Sequence, residues 1–392
     1  MRSKVNDALI TGLRVVDTIL PCGKGQRQLI LGDRYTGKTS LFLSLLITSS
    51  CFNFLSSMDG FGTKRLLGIY IGINQSLSKI RKFILFLSSS LSILSFSIIL
   101  STDSSSKILE SFILPTIGIA IAERIQRRKY DSIICFDDLS KHSKGYRQIS
   151  LIIGKIPSRE AFPTDIFNIH SSLLERCGKL RLNYFGGSIT AFPVIETIND
   201  NLTEFIATNV VSITDGQFVL NTILFKDSIL PAIDSGLSVS RIGSNAQCKL
   251  MKRLSSGLKN EFTNYRFSFA SISTSTSSVS QSSSLGIINP SVDQSFSKYL
   301  FLNLIFFQDY LQINSVEFTM ALLLAFRSSM IFSLKFEVHR LFYILSFHSI
   351  YLLYFLFISK HYYSLLLYLF LLHFLSTILF FVFIIFRNGI GY

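Results

Sequence analysis

The chain contains 392 residues, about two to three times the size of an ordinary domain, and we therefore expect two or three domains. Hydrophobic residues make up 48% of the chain and charged residues 16%, which excludes a wholly disordered protein. The formal net charge of +14 is compatible with nucleic acid or an anionic membrane surface as a partner, without requiring either. The five cysteines show no CxxC or CxxH spacing, so the sequence indicates neither a zinc site nor a disulfide framework.

The first two thirds of the chain alternate short apolar runs with stretches of helical character. The predicted strands are Arg27–Leu31, Leu66–Ile73, Ser97–Ser101, Asp131–Phe136 and Gly187–Val194. Because helical stretches separate several of these strands, the pattern predicts an α/β fold with a mainly parallel sheet. We assign residues 1–255 to this first domain.

The composition then changes twice. Residues 256–297 include a serine-rich run typical of a linker, and residues 298–392 form an apolar, degenerate α-helical C-terminal region. Within that region, Leu341–Ser359 and Tyr362–Phe386 hold 19 and 25 residues, long enough to cross a bilayer. Two interpretations stay open. One is a soluble helical region whose surface has become rich in Phe and Leu, which we favour, and the other is a membrane-spanning hairpin.

The strongest motif is the sequence GDRYTGKT at Gly32–Thr39, a complete GxxxxGK[ST] phosphate-binding loop. It follows a predicted strand and precedes a helical stretch, which is the context that this motif needs. Glycines let the backbone N–H groups surround the phosphates, and the lysine reaches the outer phosphates. The nucleotide-binding residues that we predict are Gly32, Asp33, Arg34, Thr36, Gly37, Lys38, Thr39, Ser40 and, after the second predicted strand, Gln75.

A magnesium site is predicted beside this loop. Asp137 follows the apolar strand Asp131–Phe136, and in phosphate-loop ATPases a carboxylate at such a strand tip holds Mg²⁺ together with the last hydroxyl of the loop. We therefore assign Thr39 and Asp137 as metal ligands and ATP or ADP with Mg²⁺ as the bound group. Hydrolysis also needs a group that polarises water, and the amide of Gln75 is a negligible base.

Further motifs occur along the chain in a fixed order. They are TGLRVVD at Thr11–Asp17, GKGQR at Gly23–Arg27, FDDLSK at Phe136–Lys141, YRQ at Tyr146–Gln148, SREAFP at Ser158–Pro163, HSSLLER at His170–Arg176, GGSIT at Gly186–Thr190, PVIET at Pro193–Thr197, ITDGQ at Ile213–Gln217 and PAIDSGLSVS at Pro231–Ser240. Together with the phosphate-binding loop, this series resembles the α subunit of the rotary proton-translocating ATP synthase. The resemblance covers about residues 8–255.

The resemblance implies a RecA-like core and a subunit that binds Mg-ATP without turning it over. The GDRxTGKT form of the loop is that of the α rather than the β subunit, and Gln75 stands where catalytic β subunits carry a water-orienting glutamate. Arg241 matches the arginine that α subunits supply to the catalytic site of the neighbouring β subunit. There it would neutralise charge on the transferring phosphoryl group.

The resemblance also carries expectations about partners and location. The implied partners are a β subunit in an alternating hexamer and the central stalk subunit, with the membrane reached through the assembled complex. The family's N-terminal β-barrel has no counterpart here, which leaves a truncated chain or, as we favour, a barrel that is a separately encoded fragment. With 37 Phe and no Trp, the composition is typical of A+T-rich genes such as those of organelles. We therefore predict an organelle-encoded protein at the matrix face of the mitochondrial inner membrane, with a plastid or an unusual bacterium as the alternatives.

Two other functions stay open as alternatives. A hexameric nucleic-acid-translocating ATPase would suit the positive charge, but it needs basic and aromatic residues interleaved on a binding surface, and the sequence shows no such pattern. We therefore predict no nucleic-acid partner. A membrane-anchored nucleotide-binding protein would make the apolar C-terminal region the main functional element.

Overall fold

The computed structural model describes residues 2–58, 66–89, 97–181, 186–266, 290–309, 312 and 314–327. The strands in chain order are β1 (Ala8–Leu9), β2 (Cys22–Gly23), β3 (Gln28–Gly32), β4 (Leu66–Gln75), β5 (Ser97–Asp103), β6 (Asp131–Asp137), β7 (Gly178–Lys179), β8 (Ser188–Glu196), β9 (Gly216–Val219) and β10 (Val239–Ser240). The helices in chain order are α1 (Arg14–Ile19), α2 (Lys38–Met58), α3 (Leu77–Ser89), α4 (Ile108–Arg127), α5 (Leu139–Ile152), α6 (Ile166–Glu175), α7 (Phe205–Ile213), α8 (Thr222–Lys226), α9 (Lys249–Ser255), α10 (Pro290–Phe306) and α11 (Val316–Arg327). Residues 258–266 are also helical.

An eight-stranded sheet in the order β10-β9-β3-β8-β6-β4-β5 forms the centre of the fold, with β7 paired to β8. The strands from β9 to β5 are parallel to one another, whereas β10 and β7 are antiparallel additions. All five strands predicted from the sequence are present. The predicted α/β class with a mainly parallel sheet is therefore confirmed.

The central strands are apolar because both of their faces are covered. All residues of β3 and β6 are buried, as are all but the last of β8. Continuous apolar runs of this kind are typical of parallel strands that pack against helices on both sides. The core cluster includes Ile71, Ile134 and Phe136, none of which has any exposed surface.

The polar residues that follow the strands meet at one edge of the sheet. Because β3, β8, β6 and β4 run in the same direction, their carboxyl ends lie side by side. The phosphate-binding loop follows β3, Gln75 ends β4, Asp137 ends β6 and Glu196 ends β8. The parallel register therefore gathers residues from four separate parts of the chain into one site.

The helix α10, which begins within the predicted linker at Pro290, and the helix α11 both contact the nucleotide-binding core. Arg14 in α1 is fully buried, its Nη1 donates to the backbone oxygen of Ile305 at 2.8 Å, and its guanidinium lies 5.4 Å from the centre of the Phe318 ring. Gln308 accepts a hydrogen bond from the Arg14 backbone and donates one to the oxygen of Gly12. The described residues of α10 and α11 thus pack against α1 of the nucleotide-binding core.

No helix among the described residues combines the length and the apolar character needed to cross a bilayer. The apolar segments Leu341–Ser359 and Tyr362–Phe386 lie outside the described residues. The serine-rich run before α10 lies outside them as well. The division into residues 1–255, 256–297 and 298–392 stays a prediction.

Candidate nucleotide-binding site

The phosphate-binding loop makes a tight turn between β3 and α2. Gly37 has a φ of +94°, a conformation that side chains with a Cβ rarely adopt. A Cβ added at Gly32 would lie 2.8 Å from the hydroxyl of Thr36 and 2.9 Å from the Cβ of Leu220. Both glycines of the motif are therefore required by the backbone path, and the helix that follows directs its N-terminus toward the turn.

Lys38 lies beneath the loop. Its Nζ donates to the backbone oxygens of Gly32 at 2.6 Å and Asp33 at 2.7 Å. Burial lowers the pKa of Lys38, while the neighbouring carboxylates of Glu196, Asp138 and others act in the opposite sense. The ammonium is therefore held by neutral carbonyl oxygens at the place where the motif requires a phosphate-binding cation.

A cavity of about 880 Å³ opens at this edge of the sheet. The predicted site residues that line it are Arg34, Thr36, Gly37, Lys38, Thr39, Ser40, Gln75 and Asp137. Gly32 and Asp33 do not line it. The carboxylate of Asp33 instead accepts hydrogen bonds from the Thr197 hydroxyl at 2.6 Å and from the Asp200 backbone at 3.0 Å, which fixes the loop to the segment after β8.

The two residues assigned to the metal lie next to each other. The Thr39 hydroxyl donates to Asp137 Oδ2 at 3.2 Å, and the same oxygen accepts from the Tyr70 hydroxyl at 2.7 Å and from Lys79 Nζ at 3.1 Å. A hydroxyl and a carboxylate are hard oxygen donors, and Mg²⁺ is commonly held by one or two such protein groups together with phosphate oxygens and water. The donor set therefore fits Mg²⁺ brought in with a nucleotide.

Gln75 is buried at the end of β4, and both ends of its amide are occupied. The nitrogen donates to the backbone oxygen of Asp137 at 2.9 Å, and the oxygen accepts from Lys79 Nζ at 3.2 Å. Each end of this amide has a partner within the protein. No carboxylate stands at this strand end to serve as a base for water.

Asp138 begins the helix that follows β6. Its side chain accepts from the Lys141 backbone at 2.7 Å and so caps α5, which is the role that Asp commonly has at a helix start. Burial raises its pKa to about 6, and the adjacent Asp137 acts in the same sense. The cavity wall therefore carries a second carboxyl group whose charge changes within one unit of neutral pH.

Arg241 lies apart from this cavity. It follows the edge strand β10, and its backbone N–H donates to the oxygen of Asp215 at 3.1 Å. The side chain is exposed and makes no hydrogen bond or ion pair within the part of the chain that the structure describes. The structure thus does not bring Arg241 to the nucleotide cavity of its own chain.

Sequence reasoning missed several cavity residues. The structure adds Tyr70, Lys79, Lys141, Gln308 and Asp309 to the site or its wall. One signal was available for Lys79, since it stands four residues after Gln75, a spacing at which two side chains of a helical turn can meet. Tyr70 and Gln308 had no such signal, because their partners are distant in the sequence.

The geometry defines a phosphate-loop nucleotide-binding protein. Comparison with known proteins makes this more specific, because the nucleotide-binding domain of the ATP synthase alpha/beta family matches residues 12–240. The chain belongs to this family, and the resemblance found in the sequence is confirmed.

Individual relatives agree with this assignment. The chain is 40% identical over 280 residues to the ATP synthase subunit alpha of Carsonella ruddii (strain PV), covering 68% of this chain and 54% of that protein. It is 41% identical over 265 residues to the ATP synthase subunit alpha of two Clostridium botulinum strains, covering 68% of this chain and 50% of those proteins. The chain thus spans about half the length of the curated relatives that it matches.

The predicted mitochondrial location is wrong. The relatives that it matches here are bacterial proteins, from Carsonella and Clostridium, and none of them supports a mitochondrial inner membrane. The prediction depended on the abundance of Phe and the absence of Trp, which we interpreted as a bias toward A+T-rich codons. Codon bias toward A+T does not identify a cellular compartment.

Proposed function

We propose that this chain is an α subunit of the proton-driven rotary ATP synthase that binds Mg²⁺ with ATP or ADP at a non-catalytic site. Its partners would be a β subunit in an alternating hexamer and the central stalk subunit. The observation that carries the proposal is Gln75, an amide at the end of β4 whose donor and acceptor are both engaged. Hydrolysis in this type of site needs a group that orients and polarises water toward the terminal phosphate.

The residues of the cavity have distinct parts in nucleotide binding. The backbone of the loop and Lys38 would bind the phosphates, while Thr39 and Asp137 would hold Mg²⁺. The metal would neutralise phosphate charge when bound. The Tyr70 hydroxyl donates to Asp137 and so fixes the orientation of its carboxylate. The residue at the end of β4 is the amide of Gln75, a negligible base, which supports binding without turnover.

The second part of the proposal concerns Arg241. An exposed guanidinium at an edge strand is available to a neighbouring molecule, and it lies away from the cavity of its own chain. We infer that it enters the catalytic site of the adjacent β subunit. An arginine supplied from a neighbour stabilises the charge of the transferring phosphoryl group and is worth about 10³- to 10⁵-fold in rate in other nucleotide hydrolases.

The test is ATP hydrolysis by the complex assembled with its β subunit. Arg241→Ala is expected to lower turnover at least about 10³-fold. Binding of nucleotide to this chain's own cavity should be unchanged, because Arg241 does not line it. Arg128→Ala is the matched control, since Arg128 is also exposed and follows α4. Turnover of the Arg241 variant equal to that of the control would show that the residue has no part in the reaction.

A further inference from the structure

Lys79 lines the nucleotide cavity and forms an ion pair with Asp137. Its Nζ lies 3.1 Å from Asp137 Oδ2 and 3.2 Å from Gln75 Oε1. The Lys79 side chain is 42% exposed, whereas that of Asp137 is only 5% exposed. The flexible partner in this ion pair is therefore the lysine, and the fixed partner is the carboxylate.

The helix itself gives no reason for a lysine at this position. Lys79 is in the first turn of α3, where its backbone N–H donates to the oxygen of Ser76. A helix N-terminus carries a partial positive charge and favours acidic residues, but the first turn of α3 contains none. A residue that conflicts with its local structure in this way is typical of a functional site. The attraction that offsets the conflict comes from Asp137.

The oxygen that Lys79 contacts is also the one that Thr39 approaches. Asp137 Oδ2 accepts from the hydroxyl of Thr39 and from the ammonium of Lys79. A divalent cation bound by Thr39 and Asp137 would compete with the ammonium for this oxygen, because two positive charges at that distance repel each other. Lys79 would then be displaced into the cavity, where the phosphates of the nucleotide are the nearest anions.

We propose that Lys79 is a second phosphate-binding cation that reduces the dependence of nucleotide binding on Mg²⁺, an inference that rests on the proposed function. Without nucleotide it pairs with Asp137. With a nucleoside triphosphate it donates to the terminal phosphate, and in the absence of Mg²⁺ it supplies part of the positive charge that the metal would supply. Lys38 serves the same phosphates from beneath the loop, so the two lysines approach from the first turns of two different helices, α2 and α3.

The experiment is calorimetric titration of the purified full-length chain with ATP, once with excess Mg²⁺ and once with EDTA. The measured quantity is the ratio of the dissociation constant in EDTA to that in Mg²⁺. For Lys79→Met we expect this ratio to rise about tenfold or more, because the ammonium contributes more to phosphate binding when no metal neutralises the phosphate charge. Lys79→Gln should give the same result, and Lys79→Arg should leave the ratio close to wild type.

Lys82→Met is the matched control. It removes the same charge from the same helix at an exposed position that does not line the cavity, so its ratio should equal that of wild type. A ratio unchanged in Lys79→Met and Lys79→Gln, with or without equal weakening of binding in Mg²⁺ and in EDTA, would show that the ion pair is purely structural. That result would overturn the inference about Lys79 and leave the proposed function standing. Failure of the wild-type chain to bind ATP under either condition would instead contradict the proposed function.

Discussion

His142 and His170 form a buried pair that the nucleotide site does not use. His142 Nε2 lies 3.1 Å from the backbone oxygen of Phe112, and because a carbonyl only accepts, this nitrogen carries the proton. His142 Nδ1 then accepts from His170 Nε2, 3.2 Å away. Burial lowers the pKa of His142 to about 4 and that of His170 to about 3. Both rings are therefore neutral in the folded protein at neutral pH.

This pair predicts a loss of stability in acid. The unfolded chain binds a proton at each histidine below about pH 6.5, whereas the folded chain does not until about pH 4 or lower. The free energy of unfolding should therefore decrease as the pH falls from 6.5 to 4, by about 1 kcal/mol per pH unit for each ring. Urea unfolding of wild type and His142→Gln at several pH values in this range measures it, and the variant should show the shallower dependence.

Two buried carboxyl groups also make the free energy of unfolding depend on pH, so the effect of the histidines is seen only by comparing wild type with the variant. Burial raises the pKa of both Asp17 and Asp138 to about 6, so each stabilises the fold below about pH 4 and loses that contribution as the pH rises through 6. Their effect opposes that of the histidines in the same window, and it is common to wild type and variant. Parallel pH profiles for wild type and His142→Gln would contradict the role assigned to the pair.

At the scale of elements, Arg14 joins α1 to the helices α10 and α11. Arg14→Ala is expected to destabilise the protein by about 2 to 4 kcal/mol, because it removes a buried hydrogen bond and leaves a cavity. Urea unfolding measures the loss. Limited proteolysis should in addition cut near α10 or α11 sooner than in wild type, since the link to the core is gone.

Arg14→Lys separates charge from shape in this contact. Lysine keeps the positive charge, but it cannot match the planar guanidinium that donates to Ile305 and stacks above Phe318. We expect a loss of stability between those of wild type and Arg14→Ala. An alanine variant as stable and as protease-resistant as wild type would show that the helices are held by other contacts.

The elements that could be predicted from the sequence are those with local signals. The strand β6 could be predicted because its apolar run is bounded by charged residues at both ends. It was predicted to end at Phe136 and ends one residue later. The strands β9 and β10 were not predicted, since they have four and two residues and form only by pairing with distant parts of the chain.

Within the site, too, residues with local signals could be predicted and long-range contacts could not. The loop motif located Lys38 and Thr39 because its spacing is local. It also assigned Asp33 to the nucleotide, although the structure bonds that carboxylate to Thr197, 164 residues away. The pairing of Lys79 with Asp137, 58 residues apart, likewise depends on the order of strands β4 and β6 in the sheet. Local patterns do not encode that order.

At the scale of the whole molecule, the proposed function predicts a hetero-oligomer. Gentle isolation of the native complex followed by mass spectrometry should recover a β subunit in equal amounts with this chain. The physical reason is that Arg241 is exposed and does not line the cavity of its own chain. An arginine in that position can serve only a catalytic site on a second chain. Arg241→Ala should leave the recovered ratio unchanged, because the variant alters chemistry at the shared site. Recovery of this chain without any β subunit would contradict the proposed assembly.

The contact between Gln308 and Arg14 joins residues 294 positions apart, and Gln308 with Asp309 forms part of the cavity wall. During synthesis the phosphate-binding loop leaves the ribosome long before this wall exists. At translation rates of about 5 to 20 residues per second, the interval between the end of the loop and Gln308 is roughly 13 to 54 s. For that time the nascent nucleotide pocket has an open side. A chain released before Gln308 and Asp309 are added would keep that side open permanently.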